Sequence, residues 1–74
     1  MSKKVYNDDD FISVLNKNPV ITKTVQKRLA EKDKLYKDIH YDTVRKTLIR
    51  LLDAGMIGGG LNEELNVYVW KKRR

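Results

Sequence analysis

Residues 40–57, HYDTVRKTLIRLLDAGMI, constrain the fold more than any other stretch of this chain. Val44, Leu48, Leu51 and Leu52 recur at the i, i+4, i+7, i+8 spacing of a single helical face. Asp42, Lys46, Ile49 and Arg50 fall on the opposite face, with Arg45 on its flank. Gly55 follows, and a residue without Cβ enters the left-handed conformation that ends a helix without a steric penalty. Met56 and Ile57 then start a strand. A helix with one apolar seam needs a core to cover that seam, so the remaining residues must supply one.

They do so in short pieces. Asn7 to Asp10 provides N-cap side chains and sets carboxylates at the positive end of a helix dipole. The three aspartates read as capping residues, since consecutive carboxylates on a helix fan around its axis instead of converging on a metal. Phe11, Ile12, Val14 and Leu15 give this first helix its apolar positions, and Asn16 to Pro19 ends it, because the residue before proline is pushed out of helical geometry. Val20 and Ile21, β-branched and following proline, suit a two-residue strand. Thr22 is placed as the N-cap of a second helix, Lys23–Lys32, with Gln26 one residue late for a strict capping box. Val25 and Leu29 point inward, small Ala30 permits close approach of a neighbour, and Lys23, Lys27 and Arg28 point outward.

The segment Asp33–Ile39 is either an extension of helix two or a turn over the core, with Leu35, Tyr36 and Ile39 partly buried. His40 or Asp38 caps the third helix. Gly58, Gly59 and Gly60 read as a flexible entry to a hairpin loop, LNEELN. Val67–Trp70 alternates two valines against Tyr68 and Trp70, which marks the returning strand. Trp70 and Tyr68 are expected in a core or a dimer interface. Lys71–Arg74 is a basic tail. The expected order is helix, strand stub, helix, helix, strand, strand, in one domain over residues 1–74 with a core at about 8–70.

Charge bears on partners. The chain of 74 residues has a formal net charge of +6, and residues 23–50 hold nine basic and four acidic groups. Residues 1–22 balance, and the four basic groups after residue 50 are Lys71, Lys72, Arg73 and Arg74. An excess confined to the middle helices and the C-terminus matches a polyanion such as nucleic acid, whose condensed counterions are released on binding. With no cysteine and one histidine, a histidine–cysteine zinc cluster and a cysteine nucleophile are excluded. The glycine run lacks the lysine and hydroxyl residue of a phosphate-binding loop and leads into a strand, so an enzyme is not expected. Nor is a cofactor or a small-molecule ligand. No apolar run exceeds four residues, too short to span a membrane. The first residues lack the apolar segment of a secretory signal. A reducing, cytoplasmic setting is the expectation.

Over residues 8–70 the pattern resembles a winged helix-turn-helix domain. The likeness rests on Ile39-His40-Tyr41-Asp42-Thr43-Val44, then Leu48, Leu51, Gly55, Met56 and Ile57. It is similar to the hydrophobic–cap–x–x–Thr–Val…Leu…Leu…Gly–Leu–Ile pattern of small bacterial, archaeal and viral transcription regulators, the MarR and PadR types among them. Two departures stand out: a linker between helices two and three about four residues longer than the usual tight turn, and Glu63 and Glu64 in the wing. The resemblance implies an α+β fold of three helices, a strand stub and a two-stranded wing. It also implies a DNA-binding regulator or repressor, working as a homodimer on double-stranded DNA.

By position the third helix would enter the major groove, making Tyr41, Asp42, Thr43, Arg45, Lys46, Ile49 and Arg50 candidates for DNA contact. Arg45 has the fork that fits guanine, Asp42 can accept from a cytosine amino group, and Thr43 and Ile49 can pack on a thymine methyl. Lys23, Thr24, Lys27 and Arg28 would meet phosphates from helix two. Lys71, Lys72, Arg73 and Arg74 would clamp the backbone. Acidic residues in the wing argue against its insertion beside phosphates, and leave open a protein-docking module or an RNA-binding protein.

Overall fold

The computed structural model of the chain describes residues 6–73. Among them are three α-helices and three strands. Helix α1 spans Asp8–Ser13, β1 Val20–Ile21, α2 Thr22–Lys32, α3 Tyr41–Asp53, β2 Gly58–Asn62 and β3 Val67–Lys71, with a 3-10 turn at Lys34–Tyr36. The strands form one antiparallel sheet in the order β1-β3-β2. Val20 faces Trp70 across the first pairing, and Gly58 through Asn62 face Lys71 through Val67 across the second. The class is α+β.

The core follows the helical periodicities. Val44, Leu48 and Leu51 of α3 are fully buried, together with Val25 and Leu29 of α2, Phe11 of α1 and Trp70 of β3. Leu52 is half-buried at the edge of that cluster. Segment 33–39 adopts the turn of the two expected alternatives. The Asp33 carboxylate accepts from the Leu35 N–H at 2.9 Å, and Tyr36 and Ile39 drop into the core. Gln26 holds this linker to α2, its amide donating to the Ile39 carbonyl at 2.9 Å. Tyr36 stands edge-on to Phe11 with ring centroids 5.7 Å apart. Its hydroxyl donates to Asp10 at 2.7 Å and accepts the Asn7 N–H at 3.1 Å.

Several boundaries differ from the sequence reading, each for a physical reason. Helix α1 stops at Ser13, because Val14 turns its carbonyl to the Arg28 guanidinium at 3.0 Å. Thr22 is the first residue of α2 and not its cap; its hydroxyl accepts the indole N–H of buried Trp70 at 2.7 Å. His40 takes the N-cap position of α3 by backbone conformation alone, with no side-chain hydrogen bond. At the other end of α3, Gly55 sits at φ 75°. Its N–H donates to Leu52 and that of Met56 to Leu51, the paired bonds of a Schellman stop. That use of the Met56 N–H delays β2 to Gly58.

The three glycines are therefore strand and not a flexible entry. Gly59, at φ 116°, lies so close to β3 that a Cβ there would meet the Val69 carbonyl oxygen at 2.2 Å. The hairpin closes through Asn62, whose side chain accepts from the Leu65 N–H at 3.1 Å, and Asn66, in the left-handed region at φ 55°. Lys71 belongs to β3 and not to the tail. Arg74 lies outside the described residues. No helix among the described residues is long and apolar enough to cross a membrane.

Candidate nucleic-acid interface

Helix α3 presents different neighbours at its two ends, about 20 Å apart for 13 residues. Its N-terminal half borders an open groove against the β2–β3 hairpin, lined by Thr22, Tyr41, Arg45, Leu61, Val67 and Tyr68, with Asn66 at the tip. Tyr41, Asp42, Arg45 and Lys46 are exposed here, and Thr43 is half-buried. The Thr43 carbonyl accepts the Thr47 hydroxyl at 2.8 Å, which keeps this turn of the helix internally satisfied. Arg45 lies over the Tyr68 ring, 5.6 Å from its centroid, within cation–π range. Tyr68 in turn stacks on buried Trp70 at 5.3 Å and 13° between planes. A guanidinium resting on an anchored ring is partly oriented before any partner arrives.

The other half of α3 is committed to the protein itself. Ile49, expected on the outer face, is half-buried and packs against the core. Arg50 makes a two-pronged contact with Asp8 of α1, at 2.6 and 3.1 Å. The Arg50 hydrogen bond holds the Asp8 carboxyl below its usual value, and the same contact raises the Arg50 guanidinium. The acidic start of α1 is thereby fixed against the C-terminal half of α3, remote from Tyr41.

Other expected contact residues divide in the same way. Lys23 and Lys27 are exposed on α2, and Thr24 is half-buried. Arg28 caps the end of α1 through Val14. Lys71 lies over Gly58 at the base of the hairpin, and the Lys72 N–H donates to the Asn16 carbonyl at 2.7 Å. Arg73 donates to the Gly55 carbonyl at the C-terminus of α3, where the helix dipole favours a cation. The basic residues after β3 are thus grouped at the end of α3 farther from the groove.

The sequence places Tyr68 in a core or an interface and gives no signal for Leu61 or Asn66. The alternation of residues 67–70 did place Tyr68 on the face of Trp70, which is the face turned toward the helices. Tyr68, Arg45 and Tyr41 give the groove two aromatic rings and a cation, a combination suited to nucleobases and phosphates. Compared with known protein families, curated proteins and solved structures, the chain matches none.

Proposed function

We propose that this chain is a winged helix-turn-helix transcription regulator that binds double-stranded DNA as a homodimer, with the N-terminal half of α3 in the major groove. The observation that carries the reading is Arg45: exposed on α3, seated on Tyr68, and flanked by exposed Asp42 and Lys46. In this reading Arg45 contacts base edges, and Lys23, Lys27 and Lys46 contact phosphates. Arg28, Arg50 and Arg73 stabilise the fold in place of touching DNA, because each already has an internal acceptor. A domain this small makes few base contacts alone, and pairing doubles the site. The acidic hairpin tip, Glu63 and Glu64, stays off the phosphates.

Titration of a labelled duplex at about 50 and 200 mM salt tests this reading. Affinity is expected to fall steeply with salt, and Lys46→Ala is expected to lower the slope by about one unit. Absence of binding to any duplex at low salt would remove DNA as the partner and favour a protein-docking module. A structured RNA that outcompetes duplex DNA would reassign the basic surface to RNA.

A further inference from the structure

The outer edge of β2 has the features of a strand-pairing site for a second copy of this chain. In the order β1-β3-β2, β2 pairs with β3 along one edge and, among the described residues, takes no strand on the other. Soluble proteins usually guard such edges with lysine, proline, a bulge or a covering segment. Residues 58–62, Gly-Gly-Gly-Leu-Asn, carry neither charge nor proline. Three of the large exposed apolar side chains flank or occupy this edge: Met56 just before it, Leu61 within it and Leu65 just after it.

We infer that two copies join through antiparallel pairing of β2 with β2 about a two-fold axis at Gly60, making one continuous six-stranded sheet. Two complementarities identify the occupant as the chain itself. In this register Leu61 of one copy falls opposite Gly59 of the other, a residue with no side chain to oppose it. Glu63 and Glu64, just beyond the end of β2, come alongside the start of β2 in the other copy. Lys71 lies across from Gly58 at that start, and Lys72 follows it. The acidic tip and the basic base are then about two strand spacings apart, roughly 10 Å between backbones, which long side chains bridge. Each contact occurs twice by symmetry. A perpendicular two-fold axis keeps the helices of both copies on one face of the sheet, so both α3 helices face the same way.

The inference specifies the dimer of the reading above but does not depend on DNA, and it is tested without DNA. Sedimentation equilibrium of the full chain is expected to give twice the 8.7 kDa chain mass. Leu61→Lys, at a side chain already 54% exposed, is expected to weaken the dimer about tenfold or more while leaving the melting temperature of the monomer unchanged. Reversing the tip (Glu63→Lys, Glu64→Lys) or the base (Lys71→Glu, Lys72→Glu) is expected to weaken it several-fold. The two reversals combined are expected to restore it. A monomer at all concentrations, or a dimer indifferent to Leu61→Lys and to both reversals, would overturn the inference. A DNA-binding monomer would do so while leaving the functional reading in place.

Discussion

Replacing Tyr36 by Phe isolates the link between the helix 2–3 connection and α1. The ring stays in the core against Phe11, so the change removes one hydroxyl and little apolar contact. That hydroxyl donates to the Asp10 carboxylate at 2.7 Å and accepts the Asn7 N–H at 3.1 Å. A hydrogen bond to a charged acceptor contributes about 1.5–3 kcal/mol, and the partly open site places this one near the lower figure. Near neutral pH, Tyr36→Phe should therefore cost about 1.5 kcal/mol, lowering the melting temperature by roughly 6–12 °C in a domain of this size.

The difference shrinks in alkali. Burial, helped by Asp10, pushes the Tyr36 hydroxyl up to about 12 from an ordinary value of 10.0. The folded state then holds a proton that the unfolded chain releases. The stabilisation is complete below pH 10 and is lost as pH rises toward 12, at about 1.4 kcal/mol per pH unit. The variant lacks this group, so the advantage of the native chain should shrink across that window. Urea unfolding of both proteins between pH 7 and 12, followed by far-ultraviolet circular dichroism, measures the gap. A gap that is constant through pH 10–12 would refute a Tyr36 hydroxyl held protonated by burial and by Asp10.

Thr22→Val keeps the shape of the residue but strands the buried Trp70 indole N–H, and should cost about 1–3 kcal/mol; an unchanged denaturation midpoint, read from the single tryptophan, would show that another acceptor takes over. Gly59→Ala should destabilise far more than Gly60→Ala, because a Cβ at 59 meets the Val69 carbonyl whereas one at 60 meets open space. Equal losses would place the cost in backbone conformation alone. Asp8→Ala frees an exposed ion pair, and its effect on the melting temperature should be small because solvent screens such bridges, as checked by thermal melts.

The sequence was most legible where the physics is local. The apolar stripe of α3 and its glycine stop appear where spacing and backbone freedom place them, with Val44, Leu48 and Leu51 fully buried. Contacts between distant residues were not legible. Thr22 has every property of a cap, yet its hydroxyl serves Trp70, 48 positions away. Arg28 and Arg50 sit on outward helical faces by periodicity and Arg73 in the basic tail, and each is held by a group from elsewhere in the chain. Periodicity states which way a side chain leaves its own helix, not what neighbour meets it there. The glycine run misled for a related reason: composition favours a loop, whereas the close approach of β3 makes it a strand. In the candidate site, the exposure of Tyr41, Asp42, Arg45 and Lys46 followed from the helical face, but the ring under Arg45 belongs to the hairpin and required the fold.

In the proposed function, Arg45 reads bases from the N-terminal half of α3. Selection of bound duplexes from a random pool, carried out in parallel on the native chain and on Arg45→Ala, tests it most directly. The native chain is expected to select a defined site and Arg45→Ala to lose preference at one position of each half-site, with Lys72→Ala leaving the selected sequence unchanged. Identical selected sequences for the native chain and Arg45→Ala, or no enrichment with either, would contradict it.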